Sequence, residues 1–254
     1  MHDASLQTNL ERLFNRMEER RPLTAAQKGE LQRIASPPIF VPAKTDYVPE
    51  GAKPSKSSLL LTGFACRYTL MPDGRRQITA IHVPGDFVDL HSLPLEVMDH
   101  TVAALTDCQF SAADHRDLLR IISDDPDLAL ALWRLTLLDG ALHREWIVAF
   151  AMNAVEHLAH LLCELFVRLK VVGLTEGPSF EFPVTQEVLA ETLGLSPVHV
   201  NRTLQDLRAN QLIAFDRGLV TILDWTGLRE AGKFDAGHLH LGKHRDVAAM
   251  ILAD

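Results

Sequence analysis

Near the start of the chain, Leu6, Leu10, Leu13, Phe14 and Met17 recur three and four positions apart. With 3.6 residues per turn such positions share one face, so the spacing predicts an amphipathic helix. A second helix is predicted from Thr24, where Thr-Ala-Ala-Gln offers a capping oxygen and a glutamine three residues on. Pro37-Pro38 ends it. From Ile39 to about Ala112 the apolar runs shorten to strand length. Ser58–Thr62 and Phe64–Met71 are separated by Gly63, and Pro72-Asp-Gly-Arg75 supplies a turn in which Gly74 takes φ > 0 at no cost. Arg76–Val83 then returns as the second arm of a hairpin, and Pro84-Gly-Asp86 turns the chain again. Short strands with regular turn signals predict a sandwich or barrel, not an α/β sheet.

Beyond Asp114 the helical period resumes. Asp125-Pro126 is a strong helix start, and Leu128, Leu132, Leu135, Leu138 or Asp139, Leu142 and Trp146 continue the stripe for about six turns. A helix this long with a narrow apolar stripe is expected to pair with a copy of itself. Asn153 reads as a fresh cap, and Val155–Val172 form the next helix, ended by Gly173. The break at Phe150–Asn153 marks a boundary. The expected division is 1–125, a strand-rich domain with N-terminal helices; 126–152, a long pairing helix and hinge; and 153–254, a second domain with a C-terminal extension.

The decisive stretch is Thr185–Asn210. Val188, Leu189 and Leu193 form the apolar face of a short helix capped by Thr185. Gly194 permits the left-handed residue of a tight turn. Leu195 packs inward, Ser196 caps a second helix, and Pro197 takes its first position. Val200, Leu204 and Leu207 face the core, which leaves His199, Asn201, Arg202, Gln205 and Arg208 to project elsewhere. This is a helix-turn-helix, whose second helix fits the major groove. Two apolar strands around Asp216-Arg-Gly218 add a wing.

Composition tempers this without overturning it. The 254 residues are 47% hydrophobic, enough for a full core, and carry a net charge of −8. That charge argues against a non-specific, histone-like binder, but docking one helix needs only a local basic strip. No run of about 18 apolar residues suggests a membrane span. Residues 1–21 have no apolar core of a secretory signal, and the three dispersed cysteines match no zinc spacing or disulfide framework, so a cytoplasmic setting is expected.

The chain resembles the Crp/Fnr family of bacterial regulators over nearly its whole length: a roll with Pro84-Gly-Asp-Phe87 and Cys108–Leu119, then a long helix, a short helix and the winged motif. The resemblance implies an α+β fold: an N-terminal double-stranded β-helix, a jelly-roll-like sensor barrel, then a long dimerisation helix and a C-terminal winged helix-turn-helix. It also implies a homodimer on an inverted repeat in double-stranded DNA, modulated at the roll, with RNA polymerase as a partner if the protein activates. Arg202 falls where the family places a base-reading arginine, able to hold guanine O6 and N7; a salt bridge to Asp206 is the competing reading. Thr185, Gln186 and Ser196 fall at positions that touch phosphate. Pro197 and Val198 replace polar base readers, although Val198 can meet a thymine methyl. His199 and Asn201 are candidate readers by position.

In the sensor, Phe87, Asp89, Leu90, His91, His100 and Thr101 mark the candidate effector pocket. Members that bind cyclic nucleotides carry a Gly-Glu and an Arg-Ser pair where this chain has Asp89-Leu90 and His100-Thr101. The phosphate-clamping arginine is missing, and Asp89 repels an anion, so cyclic AMP is not expected. Three cysteines, none before Cys66, do not supply the four ligands of an iron–sulfur cluster. Haem would need an axial ligand such as His82, His91 or His100, and is not expected. His238, His240 and His244 would share a metal only if they alternated on a strand face; they read as exposed or packing residues, and no metal site is expected. The rival readings are a protein-interaction module that has kept the fold and lost DNA binding, and a metal-dependent cupin-like enzyme. No phosphate loop, nucleophile elbow or cupin His-x-His supports an enzyme.

Overall fold

The computed structural model describes residues 2–18 and 21–242, which form two compact units: the described residues up to 69 with 80–140, and residues 70–79 with 141–242.

The first unit opens with α1 (His2–Met17) and α2 (Ala25–Ile34). The Thr24 cap and its Gln27 partner form the reciprocal capping box expected from the sequence. Leu10, Leu13, Phe14 and Met17 are buried; the side chain of Leu6 lies outside the described part. The roll consists of β1 (Ile39–Val41), β2 (Asp46–Val48), β3 (Lys56–Thr62), β4 (Ala65–Leu70), β5 (Arg76–His82), β6 (Thr101–Ala104) and β7 (Cys108–Asp114). These strands make two sheets, ordered β1-β7-β3 and β2-β6-β4-β5, a roll of facing sheets and not a fully closed barrel. β4 and β5 lie side by side as the expected hairpin. A one-turn helix, α3 (Ser92–Leu95), interrupts the roll and was not foreseen.

The three consecutive leucines of β3 show why alternation is muted here. Leu60 points into the roll with Val88, Val102, Cys108 and Phe110. Leu59 and Leu61 point the other way, into a cluster built from α1, α2, α4 (His115–Asp124) and α5 (Pro126–Ala149). Both faces of the strand are covered at these three positions, so all three are apolar.

α5 begins as predicted, with Asp125 Oδ1 accepting from the backbone N–H groups of Asp127 and Leu128, 3.0 Å each. Its stripe requires a correction. Leu128, Leu132, Leu135, Leu138 and Trp146 are buried within the chain itself, so they are not the face available to a second copy. The exposed large apolar residues of the helix are Leu130, Trp133, Leu137, Ile147 and Val148, away from that stripe.

In the second unit, α6 (Ala154–Val171) is buried along most of its length. Its Asn153 cap forms a second capping box with Glu156. Around it lie β8 (Ser179–Glu181), α7 (Gln186–Leu193), α8 (Pro197–Ala209), β9 (Ile213–Asp216), β10 (Leu219–Ile222), α9 (Trp225–Ala231) and a short 3₁₀ helix, Ala236–Leu239. The sheet order is β8-β10-β9, so the wing has a third strand that its three-residue length hid from the pattern.

Candidate nucleic-acid interface

The turn between α7 and α8 is built as the residue types require. Thr185 Oγ1 accepts from Val188 N at 3.3 Å, and Ser196 Oγ accepts from His199 N at 3.2 Å. Each hydroxyl spends a lone pair on its cap and keeps its O–H free to donate to a phosphate. Gly194 sits at φ +67, the left-handed conformation that a side chain disfavours. α8 buries Val200, Thr203, Leu204 and Leu207, while Leu195 in the turn is half-buried. This leaves Pro197, Val198, His199, Arg202, Gln205, Asp206 and Arg208 exposed on the other side.

Arg202 makes neither a hydrogen bond nor an ion pair with the described residues, and the pair with Asp206 is not formed. Its guanidinium is therefore uncommitted. Asn201 differs: its Nδ2 donates to Gln186 Oε1 at 3.3 Å, and its Oδ1 accepts from Gln205 Nε2 at 3.0 Å. The three amides form a chain from α7 along α8, so Asn201 and Gln186 position one another. Arg208 donates to the carbonyl of Phe215 and holds the wing against α8. In the wing, Asp216 pairs with Leu219 across Arg217 (φ +46) and Gly218 (φ +84). Two consecutive positive φ angles are what a two-residue hairpin demands.

The candidate effector residues separate into two surroundings. Phe87 and Leu90 pack with the helical cluster around Leu59 and Leu61. His91 and His100 meet, their ring centroids 4.9 Å apart, and His100 Nδ1 lies 2.6 Å from Asp99 Oδ1. The Nε2 atoms of both histidines are buried without a hydrogen-bond partner. Burial, with Arg67 and His100 nearby, lowers His91 to about 4, and burial lowers His100 too, so both rings stay neutral at pH 7. Thr101 Oγ1 accepts from Glu50 N at 3.1 Å. Asp89 Oδ1 accepts from Ser58 N at 2.5 Å while Oδ2 is left unpartnered; burial raises this carboxyl to about 7 against the opposing pull of Ser58 and Arg67.

Arg67 is the sensor residue that the pattern reading missed. It stands inside an apolar strand, which was its one sequence signal. Its guanidinium donates twice to Val88 O, at 3.0 and 2.9 Å, and pairs with Asp139 Oδ2 at 2.5 Å, tying the roll to α5. Cys66 and Cys108 in this unit, and Cys163 on α6, are buried free thiols. The strand on which His238 and His240 would have alternated is not formed. The segment is a 3₁₀ turn, in which His238 faces α6 and His240 is exposed; His244 lies outside the described residues.

Residues 40–125 match the model of the cyclic nucleotide-binding domain, and residues 156–231 match that of the Crp-like helix-turn-helix domain. The transcriptional activator protein FnrL of Cereibacter sphaeroides is 31% identical over 188 residues, covering 71% of this chain and 74% of that protein. The nitrogen fixation regulation protein FixK of Bradyrhizobium diazoefficiens is 28% identical over 205 residues, covering 80% and 84%. The structure of FixK2 from Bradyrhizobium japonicum superposes with a TM-score of 0.71 over 80% of this chain and all of that one, at 21% identity. No helix among the described residues is long and apolar enough to cross a membrane. With a roll, a winged helix-turn-helix and this level of identity to FnrL, the chain belongs to the Crp/Fnr family of DNA-binding transcription regulators and is not an enzyme.

Proposed function

We propose that the protein works as a homodimer that reads an inverted-repeat operator, with α8 of each protomer in the major groove. The observation that carries this is the outward face of α8, where Arg202 is exposed and uncommitted beside the capped turn. In this reading Arg202 takes a guanine, Val198 meets a thymine methyl, and His199 reaches a neighbouring base. Thr185, Gln186 and Ser196 hold phosphates, Pro197 makes only van der Waals contact, and Asn201 positions Gln186. Dimerisation is supported by α5, where Leu130, Trp133, Leu137 and Ile147 are 55–71% exposed. Their 3-4 spacing, resumed after Gly140 and Arg144, is that of a two-helix seam.

The roll receives the signal in the recess of His91 and His100, and Arg67–Asp139 passes it to α5. A ligand acts there by preferring one of two dimer states, re-aiming the winged domains through the Phe150–Asn153 break. A cyclic nucleotide is not proposed, because Asp89 and His100-Thr101 stand where its ribose and phosphate would need other partners. The buried, dispersed cysteines do not support an iron–sulfur cluster, and haem is not proposed. The relatives' names point to activation, and so to contact with RNA polymerase in the cytoplasm.

The test is selection from random duplex DNA by the purified, ligand-free chain. Enrichment of an inverted repeat with half-sites about one helical turn apart is the expected result. No enrichment, even with cell extract added, would overturn the reading in favour of an interaction module.

A further inference from the structure

A polar stripe runs down the otherwise apolar helix α6: His157, His160, Glu164 and Arg168, spaced three and four residues apart and all buried. His238, from the 3₁₀ turn, faces the middle of it. The side chains of His160 and Glu164 are 2% and 0% exposed, and that of His238 is 10% exposed.

His160 Nδ1 lies 3.0 Å from Gly232 O, and His238 Nδ1 lies 2.9 Å from Asp235 O. A carbonyl oxygen only accepts, so each Nδ1 carries a proton, and Nε2 is the ring nitrogen whose lone pair a cation would take. Both Nε2 atoms are buried, and neither has a hydrogen-bond partner. They converge with the Glu164 carboxylate, the three donor atoms lying within 4.8 Å of one another. Glu145 Oε1, on α5, is 3.6 Å from His160 Nε2, and Glu164 Oε2 is 3.8 Å from His238 Nε2. These separations are too long for hydrogen bonds. They are close to the donor–donor spacing of about 3.3 Å that ligands at ~2.0–2.1 Å from a tetrahedral ion require.

We propose that His160, Glu164 and His238 bind a divalent transition-metal cation, with Zn²⁺ the best match to two imidazoles and a carboxylate. Two imidazole donors disfavour Ca²⁺ and Mg²⁺. The surroundings are those of held ligands. Both histidines are oriented through Nδ1 by backbone carbonyls, and both Glu164 oxygens are fixed, by Arg168 Nη1 at 2.9 Å and Trp146 Nε1 at 3.0 Å. Each carboxylate oxygen has a second lone pair for the ion. With Glu145 within reach as a fourth donor, the site is structural: it fastens the segment after α9 to the central helix of the DNA-binding unit. It does not depend on the DNA contacts proposed above.

The test uses the full chain, stripped with a chelator and returned to Zn²⁺. Bound metal is counted by elemental analysis, and affinity is measured against a chromophoric chelator. His160→Gln and His238→Gln are each expected to lose one equivalent, or to weaken its binding by about 100-fold or more, since even outer partners of a metal site are worth 10–100-fold. His240→Gln, at an exposed neighbour, retains wild-type affinity. The wild-type chain gives an independent reading should a variant not fold. Trp146 is bonded to Glu164, so Co²⁺ at this site quenches tryptophan emission saturably at one equivalent and gives d–d absorption bands. Wild-type protein that takes up no Zn²⁺ and shows no saturable Co²⁺ quenching, or folded variants that bind as wild type does, would overturn the proposal.

Discussion

Arg202→Ala separates DNA reading from folding, because the guanidinium makes no hydrogen bond or ion pair with a described residue of its own chain. Truncation leaves no buried charge behind, and the stability change should stay within about 0.5 kcal/mol, as for surface substitutions away from structural contacts. A bidentate Arg–guanine pair carries about 1–3 kcal/mol of discrimination. Two half-sites bring this to about 2–6 kcal/mol, roughly 30-fold to 10⁴-fold in affinity at 1.4 kcal/mol per decade. The assay is fluorescence anisotropy on the selected operator and on scrambled DNA, each titrated with salt, beside urea unfolding of both proteins. A base contact loses discrimination at one symmetric position and leaves the salt slope unchanged. A phosphate contact instead weakens all sequences alike and lowers the slope by about 0.9 per phosphate. Unchanged operator affinity, or a uniform loss with a reduced slope, would refute the assignment. Arg208→Ala provides the contrast: its guanidinium holds Phe215 O, so that variant should lose stability as well as binding.

Trp133→Glu places a charge on the exposed side of α5 and should give a folded monomer by sedimentation, whereas Leu132→Ala, buried one residue away, should cost about 2–5 kcal/mol in urea unfolding. Asp89 is expected to make stability fall as pH rises. The native chain, with this carboxyl at about 7, holds a proton that the unfolded chain releases near 4, so the slope is on the order of 1.4 kcal/mol per pH unit between those values. Asp89→Asn should flatten that part of the pH–stability curve, and an identical slope in both proteins would count against it. Gly232→Ala should destabilise the winged unit by about 1–3 kcal/mol or more in thermal unfolding. A Cβ there would stand 2.6 Å from His160 N and 2.8 Å from Ala159 C, backbone atoms that cannot swing aside.

Elements whose cause is local were legible from the chain alone. The caps at Thr24, Asn153, Thr185 and Ser196 appear where the residue types placed them, because a capping bond spans only three residues. The helix-turn-helix was legible for the same reason: cap, turn glycine and N1 proline sit within a dozen positions. β8 and α3 escaped because three or four residues carry no measurable period. The stripe on α5 was misassigned for another reason. Leu128, Leu132 and Leu135 and their exposed counterparts Leu130, Trp133 and Leu137 are both apolar series, and one helix read alone cannot say which series faces its own core.

The sequence by itself determined the order of the longer elements, the family, and which residues of α8 face outward, since these depend on spacings of a few residues. The tertiary structure decided what long-range contacts alone can set. It joined Arg67 to Asp139 across 72 positions, left Arg202 without Asp206, and drew Asn201 into the amide chain with Gln186. It also brought His238 onto His160 and Glu164, more than seventy residues away, where three donors buried together have a chemistry that none has alone. Burial and partnership are properties of the folded neighbourhood, and no periodicity along one helix encodes what a distant segment lays against it.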